Sequence, residues 1–299
     1  MNKWIKTFFA YPIYMIQYIF ERLGLFLMND ESAIRVLYYA KWGKKLDLDN
    51  PKTYVEKVNY LKLHDRNPLY HNLVDKYEVK KIVASLIGEK YIIKLLGVWN
   101  SFDDIDFKTL PQKYVLKCTH DSGGVLIVNR NIDLNEAKKF INGHLNRNHA
   151  EAGREWVYRT IKPRIIAEEY VEGLSDNNYK FFCFNGKVKY LYVAPYREKT
   201  VDYFDEDFNH LDIITTLHQC ADVPPTKPSS FDEMKKLAEI LSKGIPHVRV
   251  DFYDVNGKVY FGEITFYHEA GFEPYIPDEY NYQFGNYIDL SLAYDSKDM

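Results

Sequence analysis

The segment running from Val248-Arg249-Val250-Asp251-Phe252 through Val255-Asn256-Gly257 to Tyr260-Phe261-Gly262-Glu263-Ile264 reads as a β-hairpin with an acid on each arm. Its register decides whether the two acids can cooperate, because side chains on a strand alternate between faces with period two. If Asn256-Gly257 forms a two-residue loop, Val255 pairs with Lys258, and Asp251 and Glu263 point to opposite faces. If the loop is instead Val255-Asn256-Gly257, with Gly257 at the left-handed bulge position, Asp254 pairs with Lys258 and Arg249 comes opposite Glu263. Arg249, Asp251, Glu263 and Thr265 then share one face, while Val248, Val250, Phe252, Tyr260 and Ile264 take the other. The second register is the expected one, since it separates charge from core. It makes the two acids diagonal neighbours at roughly 7–8 Å between backbones. They are then near enough to share magnesium ions, which take oxygen ligands and keep phosphate oxygens in their shell. Arg249 would reach a transferring phosphoryl group. Taken alone, the same pattern also describes an exposed hairpin face with ordinary surface charges.

A chain of 299 residues is long enough for about two lobes, or for one large α/β unit with appendages. Apolar residues at 46% and charged residues at 27% exclude collagenous, disordered and multi-span membrane classes. Lys plus Arg at 39 against Asp plus Glu at 42 leaves no broad basic surface, so no nucleic-acid partner is expected. Cys118, Cys183 and Cys220 are odd in number, widely spaced and in no C-x-x-C pattern, which suggests neither a disulfide framework nor a structural zinc site and fits a reducing cytoplasm.

Near the N-terminus the uncharged run from Thr7 to Phe20 is bounded by Lys6 and Glu21 at 14 residues, short of the roughly 20 needed to span a bilayer. No small-residue cleavage site follows it, so a secretory signal is not expected. Polar or small residues recur at Lys3, Lys6, Ala10, Tyr14, Gln17 and Glu21, one helical stripe on an otherwise apolar segment broken near Pro12. Two readings stay open for residues 1–28. The apolar face docks on the protein body, or it lies peripherally at a membrane surface with Trp4, Tyr11, Tyr14 and Tyr18 at headgroup level.

Further along, Thr53-x-x-Glu56 after Asn50-Pro51 is a capping-box helix start, and Val79, Ile82, Val83 and Leu86 mark a helix from Asp75 to Leu86. A strand-like run, Tyr91 to Trp99, follows. Tyr114 to Cys118 and Val125 to Val128 are β-rich runs on either side of His120-Asp121-Ser122-Gly123-Gly124, with a helix expected from about Asn135 to His149. Arg164 to Val171 reads as a buried strand, and Asn185-Gly186 signals a hairpin between Tyr179–Phe184 and Lys187–Val193. Ser230-x-x-Glu233 opens a further helix that ends at Gly244.

Six blocks in order, Val74-Asp75-Lys76, Lys117 to Gly124, Ile165 to Val171, Tyr179 to Phe182, Arg249-Val250-Asp251 and Gly262 to Tyr267, resemble ATP-grasp enzymes, and most nearly the TupA-like branch associated with surface-polysaccharide and teichuronopeptide biosynthesis. The resemblance covers roughly Asn50 to Asn286. It implies an α+β fold in which two lobes with antiparallel sheets sandwich ATP, preceded by an N-terminal helical segment. The expected division is residues 1–49 for that segment and 50–290 for the ATP-grasp domain, with a glycine-loop lobe at about 112–168 and a metal-binding lobe at about 169–290.

The resemblance also implies roles. Lys76 and Lys117 would neutralise phosphates, and the amides of Ser122, Gly123 and Gly124 would fold over them. Glu168, Glu169, Tyr170 and Val171 look like the strand that hydrogen-bonds adenine. Asn178 stands near the ribose, where the family more often has an acid. Lys180 and Arg249 would serve the transferring phosphoryl group or the activated carboxylate, and Asp251 and Glu263 would hold Mg2+. Thr265 occupies the place where many ATP-grasp ligases put a metal-binding Asn, and His268-Glu269-Ala270-Gly271 replaces a Pro-Gly-rich loop expected to line the acceptor site.

The implied activity is ATP-dependent carboxylate–amine ligation through an acyl phosphate. It would join an amino acid to a uronic-acid-containing glycan or glycan precursor, in the cytoplasm or at the inner face of the membrane. The alternative is a metal-dependent glycosyltransferase using the D-x-D triplet Asp205-Glu206-Asp207, a triplet that also reads as an acidic turn between strands. A third reading, a nonenzymatic scaffold of the same fold, is disfavoured because Lys117, Arg249, Asp251 and Glu263 are costly to retain unless paired.

Overall fold

A computed structural model describes residues 12–23, 28–174, 178–194 and 200–294. Its first part is helical: α1 (Pro12–Leu23), α2 (Asp30–Trp42), α3 (Tyr54–His64), α4 (Tyr70–Val74) and α5 (Glu78–Ile87). Two of the starts are fixed by local chemistry. Asn29 accepts a bond from the Ser32 amide ahead of α2, and Thr53 and Glu56 form the expected capping box ahead of α3. The helix expected from Asp75 opens later, because Asp75 instead accepts from the amides of Tyr77 and Glu78 just before α5.

The described part of the N-terminal segment, α1, packs on α2 and on a short later helix, with Ile13 buried and Met15, Tyr18 and Ile19 exposed on the outer side. Lys3, Trp4, Lys6 and Tyr11, on which the membrane reading rests in part, lie outside the described residues. Among the described residues, no helix is long and apolar enough to cross a membrane.

A four-stranded antiparallel sheet follows, formed by β1 (Leu95–Trp99), β2 (Tyr114–Cys118), β3 (Val125–Val128) and, after helices α6 (Leu134–Leu145) and α7 (His149–Ala152), β4 (Ile165–Glu169), in the order β1-β4-β2-β3. The first strand of this sheet begins at Leu95. Leu116, Ile165 and Ala167 on the sheet and Ile141 on α6 form its core.

The second sheet holds β5 (Asn178–Phe184), β6 (Lys187–Ala194), β7 (Asp202–Asp205) and β8 (His210–Leu211), together with two later strands; a short strand β9 (Ile214–Thr215) and helix α8 (Phe231–Leu241) come between. Those later strands are β10 (Val248–Val255) and β11 (Lys258–Thr265), and the sheet runs β11-β10-β5-β6-β7-β8. The chain closes with β12 (Tyr275–Ile276), paired with β9, and α9 (Glu279–Asn286). Phe181, Phe182, Tyr190 and Phe252 are buried in this lobe, with Phe182 stacked on Tyr190 at 4.3 Å and Tyr190 on Phe284 at 3.7 Å.

The β10–β11 hairpin corrects one expectation. Its loop is the two-residue Asn256-Gly257, with φ of +53° and +82°, and Val255 pairs with Lys258. Asp254 does not pair with Lys258, and Arg249 lies opposite Thr265 rather than Glu263. Such a turn alone would put the acids on opposite faces, but a bulge restores the phase. Phe252 pairs with Phe261 and Val250 with Ile264, so Asp251 faces both Gly262 and Glu263. The extra residue is Gly262 because there is no room for more: a Cβ there would lie 3.0 Å from Tyr253 Cε2 and 3.1 Å from the Asp251 carbonyl oxygen.

Candidate active site

The bulge brings four charged side chains together. Arg249 Nε donates to Asp251 Oδ1 at 2.8 Å, and its Nη2 donates to Asp251 Oδ2 at 2.9 Å, Glu263 Oε1 at 3.0 Å and Thr265 Oγ1 at 3.0 Å. Lys180, across the ladder on β5, donates to Asp251 Oδ2 and stands 4.0 Å from Glu263 Oε1. Arg249 Nη1 lies 2.9 Å from His268 Nδ1. Burial and then the charge of Arg249 hold that imidazole well below its usual range, so it is neutral and accepts the bond.

Asp251 is fully buried, while 42% of the Glu263 side chain remains exposed to the cleft. Burial would raise the Glu263 carboxyl, but Lys180, Arg249 and Lys76 outweigh it and hold it at about 2. The two carboxylates therefore converge on one corner, and Thr265 adds a hydroxyl to it.

The opposite wall comes from the first sheet and α5. Lys117 Nζ on β2 meets Glu168 Oε2 at 2.6 Å, and Lys80 Nζ on α5 meets Glu168 Oε1 at 2.5 Å. Glu168 is buried, yet the two lysines overcome that burial and hold its carboxyl at about 2. The Lys117 ammonium is raised for the reciprocal reason, with Glu168 outweighing burial. Lys76, Lys80 and Lys117 face Tyr253, Gly262 and Glu263 across a cavity of about 110 Å³ between the sheets. Glu169 ends β4 exposed, and Tyr170 and Val171 follow half-buried as the chain leaves the sheet. Asn178 opens β5 opposite Tyr253, its buried Oδ1 without a hydrogen-bond partner among the described residues.

The glycine loop follows β2, and its Asp121 and Ser122 line a neighbouring cavity. Lys76 Nζ donates to the Asp121 carbonyl at 2.5 Å, Gly123 turns with φ +81°, and the Gly124 carbonyl accepts from the Cys118 amide at 3.1 Å. Gly124 packs so closely that a Cβ would lie 3.0 Å from Asp121 Oδ2 and 3.1 Å from His144. Asp121 is in turn bonded to His144 of α6, which ties the loop to the helix behind it.

A second cavity, of about 410 Å³, shares Lys76 and Glu263 with the first. Lys180, Arg249 and Thr265 form its inner end, and Glu155, Tyr158 and Glu269 belong to its far walls. The His268–Gly271 segment lines it in a strained form: Glu269, Ala270 and Gly271 have φ of +48°, +52° and +72°. Two buried side chains hold that shape. Lys62 Nζ donates to the carbonyls of Ala270 at 2.5 Å and Gly153 at 2.9 Å, and Asn59 Nδ2 donates to that of Gly271 at 2.6 Å. Burial pushes the Lys62 ammonium down, and it pushes the neighbouring Glu155 carboxyl up. On the outer side Lys41 bonds Glu273 Oε2 at 2.5 Å and Thr216 Oγ1 at 2.7 Å.

Sequence reasoning missed Lys80, Lys62 and Glu155. Lys80 follows buried Val79 on α5, and a lysine four residues after Lys76 was the available signal. Lys62 gave none, since it sits in α3 like any solvent-facing lysine. Asp205, Glu206 and Asp207 form a turn after β7, where Asp205 accepts from the amides of Asp207 at 2.9 Å and Asn209 at 2.8 Å and from the Asn209 side chain at 2.9 Å. The acidic-turn reading of that triplet is the one the geometry shows.

The sequence model of the TupA-like ATPgrasp family matches residues 56–289. No curated protein gives a significant match. Among solved structures, the D-alanine-D-alanine ligase from Helicobacter pylori aligns at 11% identity and TM-score 0.46, over 82% of this chain and 67% of that one. The Bacillus anthracis D-alanine–D-alanine ligase complexed with ATP aligns at 16% identity and TM-score 0.37, over 70% of this chain and 55% of that one. The Campylobacter jejuni biotin carboxylase aligns at 13% and 0.42, over 74% and 46%.

Proposed function

This chain belongs to the TupA-like ATP-grasp family, and on that footing we propose that it is a carboxylate–amine ligase working through an acyl phosphate. Family membership supports ATP-dependent ligase activity in general. The observation that carries the finer reading is the junction of two cavities at Lys76 and Glu263. One is walled by Lys76, Lys80 and Lys117, and the other is a larger polar space with Lys180 and Arg249 at its inner end. A phosphate donor on the first side would present its terminal phosphorus to an acceptor on the second.

The donor set fits magnesium, because the paired acids offer hard oxygens and Glu263 is ionised throughout the physiological range. Asp251 and Glu263 would hold it, and the ion would spread the charge that develops on the transferring phosphoryl group. Lys76 and Lys117 neutralise the phosphates of ATP, and the amides of Ser122, Gly123 and Gly124 cover them. A substrate carboxylate oxygen bonds to the γ-phosphorus as the bond to the ADP oxygen breaks. Arg249 and Lys180 stabilise the charge on that group and on the acyl phosphate. The amine nitrogen then bonds to the acyl carbon, the carbon–oxygen bond to phosphate breaks, and the amine proton leaves to solvent.

We assign the carboxylate and amine to a uronic-acid-containing glycan or its precursor and an amino acid. Support comes from the family's association and from the polar, tyrosine-bearing lining of the larger cavity, which suits sugar hydroxyls and zwitterions. The cytoplasm is the proposed site of action, as the three cysteines are free thiols and ATP is the donor.

The test uses a substrate carboxylate labelled with oxygen-18, magnesium-ATP and the amine. Label should appear in inorganic phosphate, since one carboxylate oxygen leaves with it, and this transfer should be lost in Lys117→Ala. Sugar transfer from a nucleotide sugar, without ATP and undiminished in Lys117→Ala, would overturn the ligase reading.

A further inference from the structure

Away from the lysine wall, a carboxylate oxygen of Asp202, a ring nitrogen of His210 and the sulfur of Cys220 all lie within 4.8 Å of one another. Asp202, on β7, is fully buried, and among the described residues it is bonded to His210 Nε2 at 3.1 Å. Its other contacts, to the Ala221 amide, are long at 3.4 Å. A buried carboxylate with such weak compensation is a costly arrangement unless a cation completes it. His210 sits on β8 at the edge of the large sheet, its ring packed edge-on against Phe204 at 5.3 Å. Cys220 ends the loop that follows β9, where its thiol donates to the Ile213 carbonyl at 3.3 Å. The backbone beside it is anchored independently, the Val201 amide donating to the Gln219 carbonyl at 3.0 Å.

We propose that Asp202, His210 and Cys220 bind one zinc ion, with water in the fourth position, as a clip that fixes the segment between β8 and Cys220 against the edge of the large sheet. The mixed donor set selects the metal: magnesium and calcium avoid sulfur, whereas zinc takes thiolate, imidazole and carboxylate together. Bond lengths of about 2.0–2.3 Å imply tetrahedral ligand separations of roughly 3.4–3.6 Å, so side-chain adjustments of about 1 Å close the site. The thiol proton is released to solvent as the sulfur binds. The clipped segment carries Thr216, which bonds Glu273, and Leu217, which lines the larger cavity. The ion therefore shapes one wall of the cleft without touching the reacting groups, and it is distinct from the all-oxygen corner at Asp251 and Glu263.

Cobalt(II) is the probe, added to the full chain from which metals have been removed. One equivalent should give a thiolate-to-cobalt charge-transfer band and the intense visible bands of a tetrahedral ion. Cys220→Ser should abolish the charge-transfer band, and Asp202→Asn should weaken cobalt binding at least tenfold. The oxygen-only corner cannot produce that band, and Cys118 and Cys183 remain in the variant as internal controls. Zinc should raise the melting temperature of the wild type but not of Cys220→Ser; if that variant fails to fold, His210→Gln supplies the same comparison. Absence of the band from the wild type, or its persistence in the Cys220→Ser variant (for His210→Gln, an unchanged cobalt affinity), would overturn the proposal.

Discussion

Lys180 stands directly across the β5–β10 ladder from Asp251 and donates to its Oδ2, while Arg249, two residues along the same strand as Asp251, bonds both oxygens of that carboxylate. The buried acid is thus fixed from two directions before any ligand arrives. Glu263, reached by Arg249 from the next strand, is the acid of the cluster that lines the cleft. That division of labour, one acid locked and one presented, underlies the first prediction.

Glu263→Gln keeps the shape of the side chain and removes the presented charge. ATP consumption should fall by at least ~100-fold, with the far-UV circular dichroism unchanged. Equal turnover by the variant would remove Glu263 from the site.

Glu168 makes stability depend on pH in the acid range. Its folded pKa of about 2 lies below the ordinary glutamate value of 4.5, so the folded state binds its proton less readily than the unfolded chain. The stabilisation is fully present above about 4.5 and is lost as pH falls towards 2. Its size is at most roughly 3 kcal/mol. Denaturant unfolding between these limits should show a shallower pH dependence in Glu168→Gln than in the wild type.

Gly124→Ala pushes a methyl group against Asp121 and His144. The loop must move away from α6, so the KM for ATP should rise about tenfold or more with little change in melting temperature. A variant with wild-type KM would show that the loop does not cover the phosphates.

Lys62→Met fills the same volume but leaves the carbonyls of Gly153 and Ala270 without their donor. The left-handed run at Glu269 and Ala270 should relax, raising the KM for the acceptor by about tenfold while that for ATP stays within about twofold. Loss of both in parallel would point to general destabilisation instead.

Much of this was legible in the sequence, for identifiable reasons. Asn185-Gly186 and Asn256-Gly257 announce turns that need two left-handed residues, and the Thr53–Glu56 box writes its own helix start. Lys180, Lys76 and Lys117 were marked by the family resemblance alone, whereas Asp251, Glu263 and Arg249 stood out because charge on a β-hairpin breaks pattern. The bulge at Gly262 did not, since strand phase beyond a turn is settled by how Phe252 and Phe261 pack and not by local preference. Lys62, Lys80 and Glu155 were hidden because a helix or loop charge looks the same whether it faces water or a buried carbonyl.

Because the phase of the β10–β11 ladder is reset inside the strand, at Gly262, the tip of that hairpin is decoupled from the chemistry at its base. Asn256, Gly257 and Lys258 are exposed, and the core pair Phe252 and Phe261 stands between them and Asp251. The tip is thus a natural place for insertions: a tag or an extra loop grafted there should be accepted with turnover intact.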